Sequence, residues 1–215
     1  NLAEVSVLVM VPRLATSDYV VMVRELLKER ETVPALRHIV TISGDAESED
    51  EASILRALDS PTVCGYKATC EIKMDSHAPA FNSQPLDPDD VINIQFTSGT
   101  TGLPKAVALT SHSVVNNGLS IGRAQKLGPD DSVCIPVPLY HCFGVVLGSL
   151  ACISTSAAIV LPCRSGFSPA LTLAAVASER CTALYGVPTM FIAELALPEL
   201  GMHDLSSLRT GIMAG

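Results

Sequence analysis

The sequence predicts an α/β fold of mostly parallel sheets flanked by helices. Three observations carry that expectation. Short apolar runs of strand length alternate with stretches whose apolar residues recur at helical spacing. Hydrophobic residues make up 48% of the chain, yet aromatics only 4%, with no tryptophan. An aliphatic core of that kind suits strands covered by helices on both faces. Charged residues are 17% of 215, so the chain can bury a sizeable core and is not disordered.

The elements follow in order. "VSVLVMV" (5–11) reads as a buried strand, and "SDYVVMVRELLKER" (17–30) as an amphipathic helix opened by a Ser/Asp cap. "LRHIVTI" (36–42) reads as a second strand. "DAESEDEASILRALD" (45–59) reads as a helix with its carboxylates at the favourable N-terminal end. Residues 60–90 are rich in proline and read as an irregular surface stretch. The alternation then resumes: strand 91–96, loop 97–104, strand 105–109, helix 111–126, strand 131–136 and a helix near 143–153. Strand 157–161, helix 168–179, strand 181–185, helix 188–196 and strand 208–213 complete it.

Composition excludes several classes. The net charge is −8 and no basic stripe interleaves with aromatics, so no nucleic-acid partner is expected. No apolar run reaches the length of a membrane-spanning helix. The seven cysteines form no CxxC pair and read as free thiols, mostly buried, in a reducing compartment. No GxSxG elbow marks a serine hydrolase.

The stretch "FTSGTTGLPK" (96–105) carries the most chemistry. Glycines 99 and 102 permit close backbone approach, Thr97, Ser98, Thr100 and Thr101 supply hydroxyls, and Lys105 adds a cation. Such a loop between two strands can cradle an oligophosphate. It is no Walker A loop: Gly102 stands three residues before Lys105, Pro104 intervenes, and a strand follows. Composition alone leaves a flexible hairpin loop as an equal reading.

The order of residues goes further. "FTSGTTGLPKAVALTSHSVV" (96–115) resembles the phosphate-loop signature of the adenylate-forming superfamily, filling each position of its Ser/Thr-Gly-rich, Pro-Lys-terminated pattern. "PVPLYHCFGVV" (136–146) resembles that family's aromatic-His motif, and "ALYGVPTMF" (183–191) with "LRTGIMAG" (208–215) resembles its later strand and glycine loop. The combination is most similar to the medium-chain acyl-CoA synthetase branch and to fungal acyl-CoA ligases. The resemblance is strong over 91–215 and loose before it. It implies that residues 1–215 are part of the large N-terminal domain of a longer enzyme, whose C-terminal part lies outside this sequence.

The resemblance implies a ligase that joins a fatty or related carboxylic acid to ATP as an acyl-adenylate, releasing pyrophosphate, and then passes the acyl group to coenzyme A. Thr97, Ser98, Gly99, Thr100, Thr101, Gly102 and Lys105 would hold phosphates, with Thr101 beside Mg²⁺. Gly211, Ala214 and Gly215 would lie near the nucleotide. His141 would meet the carboxyl end, and His141 and Lys105 would be the catalytic pair. Tyr140, Phe143, Gly144, Val187, Pro188, Thr189 and Met190 would line the acyl pocket, with Gly144 and Gly148 leaving room for methylenes; ordinary core is the equal reading for each of these. The same chemistry leaves two rivals, a non-catalytic nucleotide- or acyl-binding module and an enzyme that loads a carrier-protein thiol. An intracellular location is expected, in mitochondrion, peroxisome or cytoplasm, with any targeting signal outside this sequence.

Overall fold

The structure, a computed structural model, describes residues 3–14, 17–29, 33–42, 62–65, 85, 87–97, 103–163 and 166–215. The helix expected at 45–59 lies outside them. The chain divides into two compact units, Asn1–Pro85 and Leu86–Gly215.

In the first unit, β1 (Val7–Met10), β4 (His38–Thr41) and β5 (Thr62–Gly65) form a parallel sheet in the order β1-β4-β5. β2 (Arg13–Leu14) and β3 (Ser17–Asp18) make a two-residue antiparallel pair before α1 (Tyr19–Lys28). The Asp18 carboxylate caps α1, accepting the Val21 N–H at 3.1 Å. Leu8 and Met10 pack with Ile39 and with Val20, Val23 and Leu27 of α1. Val7 and Val9 point to the opposite face and are about half exposed within the unit. Among the described residues the first strand is therefore covered on one face. The strand β5 falls inside the stretch read as irregular. Its four residues are too short a run to display a period.

The second unit opens with β6 (Val91–Thr97) and β7 (Lys105–Thr110), an antiparallel hairpin. Seven residues separate the two strands, too few for the crossover that parallel pairing requires. This pair thus departs from the parallel alternation. α2 (Ser111–Ala124) follows at once, capped by Thr110, whose Oγ1 accepts the Ser113 N–H.

A four-stranded parallel sheet holds the rest, in the order β11-β10-β8-β9. Its strands are β8 (Ser132–Cys134), β9 (Ala158–Val160), β10 (Ala183–Gly186) and β11 (Thr210–Met213). Side chains alternate between its faces. Val133, Ile135, Ala183 and Tyr185 pack with Ile121 of α2 and with Phe143, Leu147, Ala151 and Cys152. Cys134 and Leu184 pack on the other face with Val176 of α4 (Pro169–Ser178) and Phe191 of α5 (Pro188–Leu195). The expected helix near 143–153 is in two parts, a π-helical segment Phe143–Leu150 running into α3 (Ala151–Thr155). Among the described residues no helix is long and apolar enough to cross a membrane.

Candidate functional site

The hairpin brings Thr97 and Lys105 opposite one another as Cα partners at its mouth. Both are exposed, as is Leu103. Among the described residues Lys105 forms no ion pair. Ser98, Gly99, Thr100, Thr101 and Gly102 lie outside the described residues. The described part of the loop is thus its two stems, Thr97 and Lys105, paired at the hairpin mouth. His112 sits exposed in the first turn of α2, its N–H donating to the Pro88 carbonyl at 2.8 Å.

The four-stranded sheet supplies a second locus. β8 leads through the helices of one face to β9 on one side. β10 leads through α5 on the other face to β11 on the opposite side. Neighbouring strands whose connections diverge open a crevice at their carboxyl ends, and open α/β sheets bind ligands there. The segment after β8 carries Tyr140 and His141. The segment after β10 carries Val187, Pro188 and Thr189, and Ala214 and Gly215 follow β11. The Ala214 N–H donates to the Gly186 carbonyl at 3.2 Å, and Gly215 approaches Val187 so closely that a Cβ there would lie 2.9 Å from it. Three motif segments far apart in sequence thus converge on one sheet edge.

Not every expected residue faces that edge. Tyr140 is 82% exposed and His141, Pro188 and Thr189 are also exposed. Phe143 is buried, its ring stacked on Tyr185 at 5.9 Å between centroids. It is core, the alternative reading for that position. Gly144 is buried too, and a side chain there would run into the Pro138 carbonyl. At Gly148 a Cβ would lie 2.9 Å from Ile135. On the side where a Cβ would stand, both glycines meet the chain itself. Val187 and Met190 are half-buried against the same core. Gly211 pairs within the sheet, where a Cβ would meet the Leu184 carbonyl. It is exposed there, as are Ala214 and Gly215.

The turn holding His141 is tightly bonded. The His141 N–H donates to the Pro138 carbonyl at 3.2 Å, and its own carbonyl accepts the N–H groups of Gly144 and Val145. Its ring Nδ1 accepts the Phe143 N–H at 3.1 Å. The ring therefore caps the start of the π-helical segment, replacing a partner the first helical N–H would lack.

Sequence reasoning missed the groups at the opposite, amino end of the sheet. The Asp131 carboxylate accepts from Thr182 Oγ1 at 2.6 Å, Gly128 N at 2.9 Å, and Arg209 Nε and Nη2 at 3.0 and 2.6 Å. Burial alone would raise its pKa, but the hydrogen bonds from Arg209, Thr182 and Gly128 outweigh burial and hold it below the usual carboxylate range. Arg209 also donates to the Gln125 and Lys126 carbonyls at the end of α2. Glu194 on α5 was missed as well. It is 4% exposed, and burial pushes its carboxyl up to about 7. The thiols are as expected where described: Cys134, Cys152 and Cys181 are free and buried, Cys163 half-buried and Cys142 exposed.

Among the described residues no group of three or more His, Cys, Asp or Glu side chains is placed to hold a metal ion. The expected metal neighbour, Thr101, is not among them. The described residues therefore offer no protein-built metal centre.

Comparison with known proteins gives a consistent answer. The family model described as AMP-binding enzyme matches residues 1–215. The acyl-CoA ligase sidI of Aspergillus fumigatus is 44% identical over 190 residues, 87% of this chain and 30% of its own length. The mitochondrial medium-chain acyl-CoA ligase ACSF2 of Danio rerio is 46% identical over 131 residues, 59% of this chain and 21% of its own. The chain thus spans a third or less of these relatives. Among solved structures, the anthranilate CoA ligase AuaEII in complex with anthranoyl-AMP aligns with a TM-score of 0.68 at 20% identity, covering 99% of this chain and 36% of that one.

Proposed function

Since the chain belongs to the AMP-binding enzyme family, we propose that its protein is an acyl-CoA ligase. It activates a fatty or related carboxylic acid with ATP to an acyl-adenylate and then transfers the acyl group to coenzyme A. The observation that carries this reading is an exposed Thr97–Lys105 pair at a hairpin mouth, together with Tyr140 and His141 exposed on the segment that follows β8 of the parallel sheet. The names of the relatives sidI and ACSF2 support the same reaction.

A carboxylate is a poor electrophile until it is joined to a phosphoryl group that makes its oxygen a good leaving group. In the first step a carboxylate oxygen attacks the α-phosphorus of ATP, an O–P bond forms, and pyrophosphate leaves with the bonding pair. The chain's task is to position the two anions and to neutralise charge. Lys105, which forms no ion pair among the described residues, supplies an ammonium and Thr97 a hydroxyl for the leaving phosphates, with residues 98–102 proposed to complete the cradle. His141 meets the carboxylate, Tyr140, Val187, Pro188 and Thr189 flank it, and Ala214 and Gly215 offer backbone to the nucleotide. In the second step the thiolate of coenzyme A attacks the acyl carbon and AMP leaves. Mg²⁺ bound to ATP would share the phosphate charge. A mitochondrial location is the compartment that the Danio rerio relative supports.

The test is acid-dependent ATP–pyrophosphate exchange by the full-length protein across fatty and aryl acids, followed by thioester formation with coenzyme A or a phosphopantetheinyl carrier. We expect exchange with a medium-chain acid and transfer to coenzyme A. Exchange with no acid, or transfer to the carrier alone, contradicts the assignment. Lys105→Ala should slow exchange by on the order of 10²-fold or more, the usual loss when one donor to developing charge is removed.

A further inference from the structure

Resting on the reading that His141 meets the substrate carboxylate, we propose that this ring is locked as its Nε2–H tautomer and serves as a hydrogen-bond donor to an acceptor oxygen, with no part as a general base. A backbone N–H can only donate. The Phe143 N–H lies 3.1 Å from His141 Nδ1, so that nitrogen holds its lone pair and no proton. The Cys142 Sγ stands 3.7 Å from the same nitrogen, a second group on that side of the ring. A neutral imidazole has one donor and one acceptor nitrogen. With Nδ1 the acceptor, Nε2 carries the proton. The outer nitrogen of this exposed ring can give a hydrogen bond but cannot take a proton from a substrate.

The lock is held from behind. The Phe143 amide is fixed by its ring, which is 6% exposed and stacked on Tyr185 with 25° between planes. Tyr185 is fully buried, and its hydroxyl accepts from Gln125 Nε2 at 2.6 Å. The His141 backbone is fixed in turn by Pro138, Gly144 and Val145. Phe143 is therefore a positioning residue acting through His141. A ring fixed in this way gives its N–H to an acceptor, and a carboxylate, whose charge strengthens the bond, is favoured over a neutral alcohol.

Two measurements test this on the full-length protein. With ¹⁵N-labelled histidine at about pH 8, where imidazole is neutral, the signal lost in His141→Gln identifies the residue. We expect a protonated-type shift at Nε2 and an unprotonated type at Nδ1; the reverse pattern overturns the proposal. Phe143→Leu keeps the amide but removes the ring stack, and should mix the two tautomers; unchanged shifts overturn the role given to Phe143. In acid-dependent pyrophosphate exchange, His141→Gln places an amide donor near the Nε2 position and His141→Asn near Nδ1. We expect the glutamine variant to retain about tenfold more activity, the usual scale of a hydrogen bond to a charged group. Equal loss in both, with unchanged melting temperatures, overturns the donor role. Should the wild type exchange with no acid at all, the proposed function fails while the spectrum still reports the tautomer.

Discussion

At the amino ends of β8, β10 and β11 the chain ties itself down, whereas at their carboxyl ends it leaves polar groups exposed. The amino end is held by Asp131, with four donors from Gly128, Thr182 and Arg209, and Arg209 reaches on to α2. The carboxyl end carries Tyr140 and His141 on a bonded turn and Pro188 and Thr189 at the start of α5, all four exposed. The difference teaches where stability and chemistry are separated. A charge network around the buried Asp131 rigidifies the base of the sheet, and the opposite edge leaves side-chain donors exposed.

The largest effect on stability should come from the tied end. Asp131→Ala leaves the Arg209 guanidinium and the Thr182 hydroxyl without their acceptor, and we expect a loss of about 3 kcal/mol. Part of Arg209 is solvent-exposed, so the loss should fall towards the lower end of that class. Urea unfolding checks it, and a midpoint within error of wild type would erase the contrast between the two ends. Gly144→Ala probes the open end through its backbone. Its methyl group meets the Pro138 carbonyl, so either the turn or the helix must shift, at a cost of about 2 kcal/mol. Because that turn carries His141, pyrophosphate exchange should drop further than the melting temperature implies; an equal fall in both would make Gly144 a packing residue only.

Glu194 tests the face under α5 by pH. Its folded value of about 7 lies above the ordinary 4.5, because burial disfavours the charged form. Between those values the native state holds a proton that the unfolded chain has released. Its contribution is therefore full below about pH 4.5 and is lost as pH rises through about 7. Glu194→Gln should flatten that part of the stability–pH curve and gain about 2 kcal/mol at pH 8. Parallel curves for variant and wild type would show that the carboxylate is solvated. The smallest expected effect is at the rim of the crevice. Thr189→Ala should change stability by less than about 0.5 kcal/mol while raising the KM for the acid, and steady-state kinetics beside a thermal melt separates the two.

Much of the frame was legible before the structure. The first helix start could be read from its cap at Asp18, and the structure shows Thr110 and Ser168 capping two later helices in the same way. Strand alternation from 131 onward could be read because its apolar residues are buried on two faces by sequentially adjacent helices. The π-helical segment could not, since an apolar run gives the same pattern for i→i+4 and i→i+5 bonding. Nor could β5, whose four residues acquire strand form only by pairing with β4. The Asp131–Arg209 pair joins residues 78 apart in sequence, which no local pattern records. At the site, motif order picked out Lys105, Tyr140 and His141. It could not separate them from Phe143, Gly144 and Gly211, because a residue kept for close packing and one kept for a ligand look alike in a string of letters. In the structure Phe143 and Gly144 are buried, whereas Lys105, Tyr140, His141 and Gly211 are exposed.

The most direct measurement is a crystal structure of the full-length protein with a non-hydrolysable acyl-adenylate analogue. We expect the acyl–phosphoryl junction between the carboxyl ends of β8 and β10, with His141 Nε2 toward the acyl oxygen and Lys105 on the phosphate side. An analogue seated away from that edge, with His141 and Lys105 untouched, would contradict the assignment of the switch-point crevice as the place where the acid is activated.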